Sequence, residues 1–162
     1  MGTKPDIRIG LISDTHGLLR PEAIDALRGS DYIVHAGDIG RIQIIEQLSS
    51  IAPVTAIRGN IDEGDCAARF HETEVLQVAG VNIYVIHNVQ ELDLDPATAG
   101  LHVVVFGHSH RPEFNERNGV LFINPGSAGP RRFKLPVSVA ELTICGVQIQ
   151  PKLMTLLGER GV

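Results

Sequence analysis

The sequence predicts an α/β fold in one domain, a two-sheet sandwich flanked by helices. Three observations carry this prediction. The first part of the chain alternates short β-branched runs with helical patterns. The later part is a succession of strand patterns joined by tight-turn signals. A length of 162 residues suits one domain with one core.

Residues 7–12 form an apolar run rich in isoleucine, as a buried strand should. Pro21 opens a helix over 21–27, where its missing N–H costs nothing. A strand over 32–36, a helix over 41–48 and a strand over 54–57 complete a β-α-β-α-β series, which calls for parallel strands in an open sheet. Residues 75–78 and 81–86 flank Ala79-Gly80 as a hairpin. The polar stretch 90–100 accommodates one weak helix. Strands follow over 103–106, 120–123, 137–142 and 147–151, with Asn118-Gly119 and Cys145-Gly146 as turns. No internal repeat, linker or low-complexity tract divides the chain, so residues 1–162 read as one domain.

Composition narrows the function classes. A hydrophobic fraction of 43% supplies a core, built from aliphatic residues because aromatics are 4% and Trp is absent. The net charge of -5 argues against a nucleic acid polymer or an anionic membrane as partner. Cys66 and Cys145 form no Cys-x-x-Cys pattern, which fits a reducing compartment. The N-terminal residues lack the apolar core of a signal peptide, and no apolar run approaches the roughly 20 residues of a membrane span. A cytoplasmic location is expected.

The polar residues gather meaning on this map. Asp14-Thr15-His16 follows the first strand, Gly37-Asp38 the second and Gly59-Asn60 the third. His87 ends the strand over 81–86, and Gly107-His108-Ser109-His110 ends the one over 103–106. Ligands of open α/β sheets bind outside the C-terminal ends of strands. If these ends meet, two Asp, one Asn and four His converge. That oxygen and nitrogen mixture suits two borderline divalent ions, Mn, Fe, Co, Ni or Zn, sharing a bridging carboxylate, and suits calcium poorly. Such a pair of ions generates hydroxide from water and stabilises charge on both entering and leaving oxygens. Each fragment alone has an ordinary reading: Asp14 as a cap, Asp38 and Asn60 as turn residues, His87 as a core histidine. His108 and His110, two apart on an extended segment, face one side.

Asp14-x-His16, Gly37-Asp38, Gly59-Asn60, His87 and Gly107-His108-Ser109-His110 resemble, in order and spacing, the calcineurin-like metallophosphoesterase superfamily. Asn124-Pro125-Gly126-Ser127, followed by Pro130-Arg131, resembles its small YfcE-type phosphodiesterase branch. The resemblance spans residues 7 to 150 and implies a two-sheet sandwich with a dinuclear centre at its edge. It implies that Asp14, His16 and His110 hold one metal, Asn60, His87 and His108 the other, and that Asp38 bridges them. The implied nucleophile is a metal-bridging hydroxide, with Asp38, Asn60 and His108 at the catalytic step. The implied cofactors are two divalent ions, Mn foremost, and the implied partner is a small phosphoester; small relatives also pair as homo-oligomers.

The chain departs from the wider pattern twice. Ile61 stands where many larger relatives carry a His that protonates the leaving group, which implies a preference for good leaving groups. Asp62 is the neighbouring candidate for a proton donor or a supporting group. Asn88 stands where relatives place Gly after the His, a turn that Asn tolerates. His35 reads as structural, His71 and His102 as surface or packing residues, and Ser127 as a backbone-shaping residue with no base beside it. Arg131 and Arg132 read as a solvated pair, Phe70 and Phe133 as packing residues. Two alternatives to a phosphodiesterase stay open: a non-catalytic interaction scaffold on the same fold, and a phosphomonoesterase on the same dinuclear site.

Overall fold

A computed structural model of the protein describes residues 5–158. The chain opens with β1 (Ile7–Ile12), α1 (Pro21–Leu27), β2 (Tyr32–His35), α2 (Ile42–Ser49) and β3 (Val54–Ala56), the expected alternation. α3 (Asp65–Arg69), β4 (Thr73–Val78), β5 (Val81–Ile86), β6 (Val103–Val105), β7 (Glu113–Arg117), β8 (Val120–Asn124), β9 (Val137–Cys145) and β10 (Gln148–Leu157) follow. The strands form two five-stranded sheets, β10-β9-β1-β2-β3 and β4-β5-β6-β8-β7. In the first, β1, β2 and β3 are parallel, β9 is antiparallel to β1, and β10 is antiparallel to β9. In the second, β5, β6 and β8 are parallel, and β4 and β7 are antiparallel edges.

Strand alternation assigns the two faces. Ile9 and Leu11 of β1 join Val34, Ile83, Val85, Val103, Val105 and Ile123 in the core between the sheets. Ile12 points to the opposite face, where Ala23, Leu27, Ile44 and Leu48 of α1 and α2 cover the first sheet. Val104, Tyr84 and Phe122 form a third cluster on the outer face of the second sheet. This is the predicted two-sheet sandwich with helices outside.

Local differences have physical causes. β7 escapes a sequence reading because every residue of this edge strand is exposed and no apolar alternation marks it. The helix expected over 90–100 is absent; a single 3₁₀ turn, Val89–Glu91, is capped by Asn88 accepting from the Gln90 N–H at 3.1 Å, and turns around Pro96 follow. The strand expected to stop at 151 continues to Leu157, because β10 is a sheet edge where Pro151 is tolerated. The short helix α3 had no periodic signal to announce it. No helix among the described residues is long and apolar enough to cross a membrane.

Candidate metal centre

The strands β1, β2 and β3 run parallel, as do β5 and β6, and their C-terminal ends deliver all seven candidate ligands. Backbone bonds stitch these ends together. Asp14 N–H donates to Gly37 C=O at 3.0 Å, His16 N–H to Asp38 C=O at 2.9 Å, and Gly107 N–H to His87 C=O at 2.9 Å. Five of the seven residues sit in left-handed backbone: Asp14 (φ 54°), His16 (46°), Asp38 (55°), His108 (73°) and His110 (64°). Non-glycine residues seldom adopt this region, and its concentration at one place is typical of sites where the fold holds side chains for a purpose.

The side chains converge. Asp14 Oδ1 lies 3.3 Å from His110 Nε2, 3.7 Å from His16 Nε2 and 3.8 Å from His87 Nε2. Asp38 Oδ2 lies 3.2 Å from His87 Nε2 and 3.6 Å from His16 Nε2, between the two imidazoles. Two overlapping groups result, Asp14 with His16 and His110, and Asp14 with Asp38 and His87; within each, the ligand atoms lie within 4.8 Å of one another. His108 is exposed, and its ring packs edge-on to His87 at 5.3 Å between centroids. Asn60 is also exposed and shares with His87, Arg58 and Tyr84 the lining of a cavity of about 550 Å³. The structure therefore gathers five of the seven tightly and places Asn60 and His108 at the rim.

Buried Asp14 Oδ1, His16 Nε2, His87 Nε2 and His110 Nδ1 have no hydrogen-bond partner. Buried polar atoms are normally paired, so the cluster of Asp14 Oδ1, His16 Nε2 and His87 Nε2, mixing a carboxylate with imidazoles, fits a divalent cation. His87 Nδ1 donates to Ala36 C=O at 2.7 Å, so in the neutral ring Nε2 is the lone-pair nitrogen and is aimed at the site, the usual orientation of a ligating imidazole. Burial disfavours the Asp14 carboxylate, yet His110, His16, the charge of His87 and the Ser13 hydroxyl outweigh it and hold the acid well below the usual range. Burial likewise opposes the His87 cation, and the neighbouring Asp38 and Asp14 raise its pKa nonetheless.

Glycines make room for the two carboxylates. A Cβ on Gly59 would fall on the Asp38 carboxylate, and one on Gly107 would lie 2.6 Å from Asp14 Oδ2. Neither has positive φ, so their use is close approach, whereas Gly37, at φ 100°, makes a sharp turn after β2.

Residues without an assigned role hold the ligands still. Ser13 Oγ donates to Asp14 Oδ2 at 2.7 Å, and Ser127 Oγ donates to Asp14 C=O at 2.9 Å, as suits a backbone-shaping serine. His35, fully buried, has its pKa pushed down to about 4 by burial and is neutral. Its Nδ1 accepts from Gly37 N–H at 3.1 Å, so its Nε2–H faces Thr15 Oγ1 at 3.0 Å, and Thr15 Oγ1 donates to Ile39 C=O at 2.8 Å. This relay ties the Asp14 turn to the Asp38 turn. The Asp62 carboxylate accepts from Ile39 N–H at 2.9 Å, Gly40 N–H at 3.0 Å and Gly59 N–H at 2.8 Å. Both its oxygens are occupied by backbone, so Asp62 is a clasp rather than a proton donor. Asn124 Nδ2 donates to Gly107 C=O at 3.1 Å and Ser109 Oγ at 3.0 Å, bracing the His108 turn.

The remaining candidates fall outside the centre. The Ile61 side chain is exposed while its N–H donates to Asp38 Oδ1 at 3.1 Å. His71 pairs with Glu74 at the surface, and His102 Nδ1 accepts from Asn82 N–H at 2.9 Å. Phe70 packs against the helix-side core. Phe133 does not pack: it is 87% exposed. Arg131 is not a freely solvated cation, since it donates to Gly158 C=O at 2.6 Å, whereas Arg132 is exposed.

Residues 7–146 match the family model of the calcineurin-like phosphoesterase superfamily domain. A probable metallophosphoesterase of Methanothermobacter thermautotrophicus is 33% identical over 157 residues, spanning 90% of this chain and 91% of that protein. A phosphodiesterase of Methanocaldococcus jannaschii is 28% identical over 138 residues, spanning 74% and 83%. Among solved structures, vacuolar protein sorting 29 of Cryptosporidium parvum superposes with a TM-score of 0.74 at 20% identity, covering 93% of this chain and 98% of that one, a likeness of fold.

Proposed function

Since the chain belongs to the calcineurin-like phosphoesterase superfamily, as its motifs led us to expect, we propose that it is a metal-dependent phosphodiesterase acting on small phosphoesters. The observation that carries this reading is the pair of overlapping carboxylate–imidazole groups whose buried inward atoms lack partners. Asp14, His16 and His110 would hold one ion, and Asn60, His87 and His108 would hold the second. Asp38, whose Oδ2 lies between His16 and His87, would serve both. Mn is the proposed ion, with Fe, Ni, Co or Zn as chemical equivalents for this donor set. When bound, the ions supply an acidified water and neutralise charge on the phosphoryl oxygens.

The protein's own part is to orient. The Ser13 and Ser127 hydroxyls fix Asp14, the Asp62 clasp and the His35 relay fix Asp38, and Ala36 C=O fixes the His87 tautomer. Both cysteines are free thiols, which supports the cytoplasm as the compartment. The scaffold alternative has the fold likeness to vacuolar protein sorting 29 on its side. All seven ligand types are present and five of them are gathered tightly, which favours catalysis.

With Ile61 exposed beside the centre and Asp62 engaged by backbone, neither of these two positions supplies a proton to a departing alkoxide. General acids contribute about 10²–10⁴-fold, so a dialkyl phosphodiester should react at least about a hundredfold more slowly than an aryl one, beyond what the metals equalise. Steady-state rates on matched aryl and alkyl diesters check this. Equal rates would show that a general acid is present and that the leaving-group reading is wrong.

A further inference from the structure

The loop leaving the metal centre carries an aromatic residue in an unusual setting. Phe133 is 87% exposed and holds a backbone φ of 52°, a region that bulky residues avoid. Together with Arg111, Lys134 and Leu135 it lines a mostly apolar cavity of about 600 Å³. Arg111 directly follows the candidate ligand His110. The loop is clasped at both ends. At its start, Ala128 N–H donates to Ser13 C=O at 3.1 Å, and Arg20 Nε donates to Gly129 C=O at 3.1 Å. A Cβ on Gly129 would strike the Thr15 carbonyl, so this backbone lies directly on the Asp14–His16 turn. At its far end Ser138 N–H donates to Ser127 C=O at 3.0 Å, and between the two ends Arg131 bonds Gly158 C=O. The exposed ring thus rides on a loop whose start is fastened to the Asp14–His16 turn, and it shares a cavity with Arg111, the residue after His110.

Charge gives the ring a direction. Residues 126–136 contain Arg131, Arg132 and Lys134 and no acid, in a chain of net charge -5. The cavity on the Asn60 and His87 side is lined instead by Glu72, Glu91 and Asp93, balanced by Arg58 alone. A ring among cations suits a planar group attached to an anion, because π-faces stack on it while the cations meet the charge. We propose that Phe133, with Arg111 and Lys134, is the ledge that binds the aromatic ring system of an anionic phosphodiester, such as an aryl or nucleoside ester. The second ester group then lies toward Asn60. This inference rests on the phosphodiesterase reading.

The chain has no Trp, so Phe133→Trp places a single indole reporter at the ledge. In the Mn-loaded protein, AMP is expected to quench its emission at concentrations where ribose 5-phosphate does not. In parallel, Phe133→Ala should raise KM for an aryl diester about tenfold with kcat held within about twofold, leave KM for a dialkyl diester unchanged, and be rescued by Phe133→Tyr. Phe133 is exposed, so the substitutions leave the core intact. If wild-type protein hydrolyses no diester, the enzyme reading fails, while selective quenching by AMP would still support the ledge. Equal responses to AMP and ribose 5-phosphate, an emission that shifts only with protein concentration, or an unchanged KM for the aryl diester in Phe133→Ala would each overturn it.

Discussion

Asp38→Asn is expected to lower phosphodiester hydrolysis by about 10³-fold while leaving the fold in place. The side chains are nearly isosteric, and an amide oxygen can still accept the Ile61 N–H that now bonds Asp38 Oδ1 at 3.1 Å. What disappears is the negative charge between His16 and His87, on which the shared position of two cations depends. Metal ions contribute several kcal/mol of transition-state stabilisation, and each ~1.4 kcal/mol is tenfold in rate, hence the size of the expected loss. Turnover of an aryl diester by variant and wild type, beside their metal content, measures it. A variant within tenfold of wild type would remove Asp38 from the centre of the account.

Asp62→Ala is expected to have the second largest effect, through the backbone. Its carboxylate is the common acceptor for Ile39, Gly40 and Gly59, which lie on the turns carrying Asp38 and Asn60. Truncation leaves these three N–H donors without their acceptor. We expect a loss of about 2–4 kcal/mol in folding stability, in line with hydrogen bonds to charged groups and unsatisfied donors. Supporting residues of metal ligands typically matter by 10–100-fold, and a drop of that order in metal affinity is expected as well. Denaturant midpoints and Mn titrations check both. Normal stability together with a lost leaving-group step would instead revive Asp62 as a proton donor.

The two deepest layers of this structure were legible in the sequence for a simple reason. The candidate ligands follow apolar runs at once, so placing the strands also places Asp14, Asp38, Asn60, His87 and His108 at strand ends. The supports were not legible. Ser127 reaches back 113 residues to Asp14, Asn124 reaches 17 to Gly107, and Asp62 reaches 23 to Ile39, all by side chain to backbone, and no local pattern records such contacts. Ser13 had a local signal, being adjacent to Asp14, but a serine at a strand end is too common to single out. β7 was silent because all five of its residues are exposed and Phe114 is its one apolar residue. Phe133 was misread as a packing residue because apolar character alone predicts burial, whereas its loop is fastened at both ends and leaves the ring outside.

The central claim is that divalent ions held at these strand ends make the protein a phosphodiesterase. Its most direct test is hydrolysis of an aryl phosphodiester by metal-stripped, folded protein as Mn is added back. We expect no activity in the stripped protein and a rise that saturates near two ions per chain. Activity that is full without metal, or absent with every divalent ion tried, would contradict the claim.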